Sequence, residues 1–173
     1  MAEKALVQHV DHAFGPVFDA RSRVLVLGSF PSVISRAHAF YYGNAQNRFW
    51  RVLAALTGDA VPPVDDVPGR RALLLRHGVA LWDVVASCDI RGSSDASIKN
   101  VVPVDVGLIL DAAPVEAVLC NGGTAARLYH RWLEPQTGRP ADAVLPSTSP
   151  ANASWSLERL VARWGAVLGP HLR

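Results

Sequence analysis

The chain has 173 residues, half of them hydrophobic, which suits one compact domain with a full core and would leave two domains rather small. Its formal net charge is +2, and no uninterrupted apolar run approaches the length needed to cross a bilayer. The opening Met1-Ala2-Glu3-Lys4 lacks the basic start and apolar core of a secretion signal, so a soluble, cytoplasmic, monomeric single domain over residues 1–173 is expected.

Two cysteines, Cys88 and Cys120, are too few for a four-thiolate cluster and form no Cys-x-x-Cys pair, so buried or idle thiols are expected. The six histidines are scattered, with only the loose His9/His12 pair close in sequence. No metal and no cofactor is predicted. Fifteen arginines stand against two lysines. Arginine is the better fork for phosphates, but genome composition explains such an excess equally well.

In chain order, residues 23–27 read as a buried strand, and residues 47–56 as a helix with Phe49, Trp50, Leu53 and Leu56 on one face. A Pro-rich loop over residues 61–68 precedes a helix over 68–77, a strand over 79–82 and a short helix over 104–112. A strand over 115–120, a helix over 122–133, a strand over 143–145 and a helix over 154–168 complete the pattern. Strands alternating with helices predict an α/β fold, a three-layer α/β/α sandwich around a central four-stranded, mainly parallel sheet. Ligands bind such sheets at the carboxyl ends of the strands, where Gly28, Asp83, Asn121 and Ser147 fall.

Residues 28–50 carry more functional residue types than a connector needs. Gly28-Ser29-Phe30-Pro31-Ser32 is a strand end with a glycine that allows close backbone approach and a proline that fixes the turn. It is not a phosphate loop, because the glycine spacing and the lysine are missing. Phe40, Tyr41 and Tyr42 cannot all point inward from an extended segment, so at least one ring is expected to face a cleft, where it can stack on a flat ligand. Asn44 is either a turn residue or an amide that positions a water, and Asn47 is the better helix cap.

Trp82 and Asp83 end the second strand, and Asp83 is either a helix cap or an acceptor for a base N–H. The loop over residues 145–154 is either a cap for the last helix, starting at Ser154, or a surface whose hydroxyls and backbone meet DNA.

In this order, Gly28 to Ser32, Phe40-Tyr41-Tyr42-Gly43-Asn44-Ala45-Gln46-Asn47-Arg48-Phe49-Trp50 and the loop from Ser147 to Asn152 resemble the uracil-DNA glycosylase superfamily, and specifically its hypoxanthine-DNA glycosylase branch. The Asn-Arg-Phe-Trp ending is also similar to the mismatch-specific uracil/thymine-DNA glycosylases. The resemblance implies that Gly28, Ser29, Phe30, Pro31 and Ser32 lie beside a flipped base, with Tyr42 stacking on it and Asn44 as the catalytic residue. Asp83 falls where uracil-specific relatives often place a base-reading Asn. Ser149 would contact the base, while Ser147, Thr148, Pro150, Ala151, Asn152 and Arg91 would meet DNA.

Departures from the family pattern are Ser29, where other branches place a water-activating Asp or an Asn near the turn, and Ser149, where efficient uracil enzymes have His. Position 45 is Ala where relatives often have Pro. The resemblance implies a monofunctional glycosylase of base excision repair that flips deaminated bases (hypoxanthine, uracil or xanthine) out of DNA and leaves an abasic site. A non-catalytic binder of damaged DNA is the alternative. An α/β hydrolase is disfavoured, since there is no Gly-x-Ser-x-Gly elbow and no His in either motif.

Overall fold

The computed structural model describes residues 5–173. Its centre is a four-stranded parallel sheet made of β2 (Val24–Gly28), β3 (Val79–Asp83), β6 (Ala117–Asn121) and β7 (Ala143–Leu145), in the order β3-β2-β6-β7. β2 is buried at every position, and β6 at all but its last, as expected of strands covered on both faces. The chain leaves β2 toward β3 on one side, while β6 lies on the other, so a crevice opens where the order reverses, beyond Gly28 and Asn121.

The alternation of side chains along the sheet divides the core in two. Val24, Val26, Val79, Leu81 and Leu119 pack with α2 (Phe49–Thr57), α3 (Val67–Arg76) and α7 (Leu157–Leu168), which supply Phe49, Trp50, Leu74, Leu160 and Trp164. Leu25, Leu27, Ala80, Val118 and Cys120 face the opposite layer. There they meet α4 (Gly107–Leu110), α5 (Gly123–Leu128) and a π-helical continuation, Tyr129–Leu133, before α6 (Glu134–Thr137).

The predicted sandwich is therefore present, but one outer layer is not purely helical. It contains a three-stranded antiparallel sheet of β1 (Val7–Asp11), β4 (Val85–Arg91) and β5 (Lys99–Pro103), in the order β1-β4-β5, which the sequence reading left unassigned. β4 follows β3 after the single residue Val84, with no turn residues to announce it, and its Val85, Cys88 and Ile90 join the second core. After β1 the chain crosses to the main sheet, where Val17 and Leu81 exchange backbone hydrogen bonds at 2.9 Å.

Several boundaries move. The strand expected over 115–120 begins two residues later and runs one residue further into the site, to Asn121, and the helix expected over 122–133 is α only to Leu128. A short helix, α1 (Val33–His38), occupies part of the long first loop. The last helix is capped by Ser156, whose Oγ accepts from Arg159 N–H at 3.2 Å, rather than beginning at Ser154. At α2 the cap position is Arg48, although Asn47 Oδ1 does accept from Phe49 N–H at 2.9 Å. Both cysteines are buried, and burial pushes their thiols up to about 11 for Cys88 and about 12 for Cys120, so both stay protonated.

Candidate active site

A cavity of about 530 Å³ opens at the carboxyl ends of β2, β3 and β6. Residues 28–32, Tyr42, Asn44, Asp83 and residues 147–151 all line it, so the two loops singled out in the sequence form its facing walls. Two predicted DNA contacts lie elsewhere. Arg91 ends β4 away from the cavity, with its N–H bonded to Ser97 Oγ at 2.8 Å. Asn152 lines an adjoining groove of about 610 Å³ that shares Asp95, Ser147, Ser149 and Ala151 with the cavity and continues to Trp155 and Arg163.

Gly28 forms part of the floor. A Cβ at this position would lie 2.4 Å from Asp83 Oδ1 and 3.2 Å from the Tyr42 hydroxyl, so only glycine lets those two side chains meet over β2. Beyond it, Gly28 and Ser29 carbonyls accept from Val84 and Val85 N–H at 2.9 and 3.2 Å, which welds the turn to the start of β4. The next turn is held from the other side, where Ser32 Oγ caps α1 by accepting from Ser35 N–H and donates to Ser35 Oγ, both at 3.1 Å. Ser35 Oγ in turn accepts from Gly43 N–H at 3.0 Å and so fixes the residue before Asn44.

Of the three adjacent aromatics, Phe40 and Tyr41 are buried, and both Tyr41 and the more exposed Tyr42 line the cavity. Tyr42 has φ 52°, the left-handed region that a bulky side chain rarely adopts, and it is stacked on Phe49 at 4.4 Å between ring centres. Its hydroxyl accepts from Asn121 Nδ2 at 3.1 Å. Burial pushes its pKa up, the nearby Asp83 carboxylate adds to that, and the Asn121 hydrogen bond opposes it, so the phenol stays neutral.

Asn121 was absent from the predicted site. It ends β6, donates from Nδ2 to Thr148 Oγ1 at 3.0 Å as well as to Tyr42, and accepts from Thr148 N–H at 3.1 Å. One amide therefore ties the stacking ring to the second loop. Its position at a strand end was visible in the sequence, but its partners are 79 and 27 residues away.

Arg48 is the second omission. Its backbone N–H and Nε reach Thr148 O at 3.0 and 3.5 Å, and Nη2 reaches Ser149 O at 2.9 Å and Asn152 O at 3.0 Å, with Nη1 donating to Trp155 O. The second loop's carbonyls are thus gathered on one guanidinium at the start of α2. Gly122, at φ 95°, brings the backbone against Ser147, where a Cβ would lie 3.1 Å from the Ser147 Cβ.

The remaining polar groups have their own assignments. Asn44 Oδ1 accepts from Gln46 N–H at 2.9 Å, an Asx turn that leaves one lone pair and the amide N–H₂ available to the cavity. Ser149 Oγ accepts from Ala151 N–H at 3.2 Å and keeps its own proton. Asp83 is 4% exposed, and its Oδ2 is bonded to His12 Nε2 at 2.8 Å.

The sequence model of the Uracil DNA glycosylase superfamily matches residues 16–167. The chain belongs to that superfamily. Its chemistry is accordingly that of a DNA glycosylase, a hydrolase of N-glycosyl bonds in DNA. The solution NMR structure of a candidate uracil DNA glycosylase from Methanosarcina acetivorans superposes with a TM-score of 0.71 at 32% identity, covering 91% of this chain and 95% of that one. A protein of the same organism named hypoxanthine DNA glycosylase is 31% identical over 159 residues, 91% of this chain and 98% of its own. Another of that name, from Methanosarcina barkeri, is 34% identical over 110 residues, 63% of this chain and 69% of its own. Within the superfamily fold, the cavity at the ends of β2, β3 and β6 is lined by residues of both motifs. Among the described residues, no helix is long and apolar enough to cross a membrane.

Proposed function

We propose that this glycosylase excises deaminated bases, hypoxanthine first among them, from DNA in base excision repair. The observation that carries the reading is Asp83: a buried carboxylate with one oxygen engaged by the protein and the other, Oδ1, against the floor at Gly28 in a cavity of base-accommodating size. A carboxylate oxygen only accepts, so it favours a ring N–H. Hypoxanthine, xanthine and uracil carry that group beside a carbonyl, whereas adenine and cytosine present a lone pair at the corresponding ring nitrogen. The two relatives named hypoxanthine DNA glycosylase support placing hypoxanthine first among these.

The base reaches the cavity by leaving the stack, which exposes C1′ of its sugar. Tyr42, backed by Phe49, offers the ring on which it stacks. As the N-glycosidic bond breaks, negative charge grows on the base, and the Ser149 hydroxyl and first-motif N–H groups are placed to receive it. Asn44 holds the water that attacks C1′, with its free lone pair and amide protons. Among the described residues no lysine lines the cavity, which supports a product that is an abasic site without Schiff-base formation or strand cleavage. Ser149 is a weaker partner for a uracil anion than the histidine of efficient uracil enzymes, so uracil leaves more slowly here than in those enzymes.

Ser147, Thr148, Pro150 and Ala151 border the mouth, with the groove to Asn152 and Arg163 as the path of the strand. Arg91, outside both, contributes at most a phosphate contact. The protein acts as a single-domain monomer in the cytoplasm. The experiment is alkaline cleavage of labelled duplexes bearing hypoxanthine, uracil or xanthine. An abasic product with hypoxanthine fastest supports the reading, whereas tight binding without product identifies a damage-binding protein instead.

A further inference from the structure

His12 lies where the chain leaves β1 for the main sheet, its N–H bonded to Ala86 O at 2.8 Å. Its side chain and that of Asp83 are each 5% exposed, and Nε2 stands 2.8 Å from Asp83 Oδ2. The ring is held edge-on to Phe14 at 4.5 Å and Phe30 at 6.0 Å, and tilted against Tyr41 at 6.0 Å. His12 Nδ1 is buried with no hydrogen-bond partner among the described residues.

That orphan nitrogen determines what the ring carries. A proton on Nδ1 would be a buried donor without an acceptor, whereas a bare Nδ1 lone pair in apolar surroundings is far less costly. The geometry is therefore that of a neutral imidazole, with its proton on Nε2, donating to the Asp83 carboxylate. A hydrogen bond given to the charged form of an acid favours that form. Gly28 leaves room for the other oxygen in this pose, because a Cβ there would lie 2.4 Å from Asp83 Oδ1.

We propose that His12 is the positioning residue for base selection: it holds Asp83 in one orientation, so that Oδ1 presents a lone pair to the cavity and excludes adenine and cytosine. The inference rests on the reading of Asp83 as the base contact. Without the His12 donor the carboxyl is free to turn away, and the cavity loses the fixed acceptor that discriminates against the bare ring nitrogen of an undamaged base. The titratable groups that face Asp83 besides His12 are Tyr41 and Tyr42, from the segment after α1, and Asp95, from the loop after β4. The phenols stay neutral, because burial pushes both upward.

The test compares the full chain with His12→Phe, which keeps an aromatic ring but no donor, and His12→Gln, whose amide restores one. Anisotropy measures binding to duplexes carrying the non-cleavable 2′-fluoroarabino nucleoside of hypoxanthine or of adenine opposite thymine. The cost of opening each duplex cancels when variants are compared. The parent should prefer hypoxanthine, His12→Phe should lose about tenfold or more of that preference, and His12→Gln should recover most of it. Thermal melting checks that each variant is folded, and the nitrogen-15 spectrum of the parent decides if His12→Phe is not.

Nitrogen-15 NMR of the parent should show the neutral Nε2–H tautomer of His12. Equal preference in parent and variants, or a charged or Nδ1–H ring in the parent, overturns the proposal. A retained preference without any excision refutes the enzymatic reading and leaves this inference standing.

Discussion

Ser29 Oγ donates a 2.9 Å hydrogen bond to Asp95 Oδ1, joining the turn after β2 to the loop after β4 across 66 residues. The first motif has no acid of its own, and this contact brings a carboxylate to it from elsewhere in the chain. Surrounding protein pushes the Asp95 pKa up from 3.8, the Ser29 hydroxyl pulls it back, and the Asp83 charge raises it again. Its side chain keeps solvent access at the rim, which screens these effects.

A carboxylate whose folded-state pKa is raised costs stability above that raised value and costs nothing once the pH is well below 3.8. Asp95→Asn keeps an acceptor for Ser29 and removes the charge. Its Tm should exceed the parent's at pH 7, with the gain disappearing as the pH falls below 3.8. Scanning calorimetry across that range checks the sign, and an unchanged or lowered Tm at pH 7 contradicts it.

Asn44→Ala is expected to remove the water-holding amide while leaving the DNA-facing loops in place. Single-turnover excision of hypoxanthine should fall by about 10²-fold or more, a usual magnitude for a proton-handling group, with duplex affinity nearly unchanged. The Asx turn to Gln46 is lost in the same variant, so Asn44→Ser, which can form a similar turn, separates the two roles. Full excision by Asn44→Ala would sink the mechanism.

Gly28→Ala places a methyl group 2.4 Å from Asp83 Oδ1, and Asp83 cannot retreat without breaking its bond to His12. Overpacking of this kind costs about 1–3 kcal/mol. The expected result is a folded, destabilised protein, seen by urea titration, whose binding to a hypoxanthine duplex falls to that of an undamaged one. Retained discrimination would place the base elsewhere in the cavity.

Asn121→Leu breaks the bridge between Tyr42 and Thr148 and leaves Thr148 N–H without its acceptor. A lost buried hydrogen-bond partner costs about 1–3 kcal/mol. Urea titration should show that loss, and KM for a hypoxanthine duplex should rise more than kcat falls, because the stacking ring is no longer held.

The chemistry that local sequence could reveal was the part confined to contiguous stretches. The glycine, the turn proline, Tyr42, Asn44, Asp83 and the small polar second loop were each visible, because a strand end followed by unusual residue types stands out in a periodic pattern. The four parallel strands were legible for the same reason, being short runs of Val, Leu and Ala. β1 and β5 were not, since they are edge strands with few buried positions and no clear alternation.

His12, Arg48, Asn121 and Asp95 escaped assignment for a different reason. Each acts through a partner brought near only by topology: Asp83 is 71 residues from His12, and Ser149 is 101 residues from Arg48. His12 was considered only with His9 as a metal pair, whereas its true neighbour is a carboxylate on the central sheet. His9 instead contacts Asp89 on β4 at 2.9 Å.

The guanidinium of Arg48 collects carbonyls of the second loop on the first turn of α2, adding to the turn bonds that Ser149 O and Asn152 O accept from Asn152 and Trp155 N–H. Residues 147–155 therefore cannot lift off alone, because opening would strand a partly buried cation and several acceptors at once. Helix start and loop form one cooperative unit, so the wall is either in place or locally unfolded, with little between. A nucleotide entering the cavity meets a mouth of settled width, and the deformation needed for entry falls on the DNA backbone rather than on the enzyme.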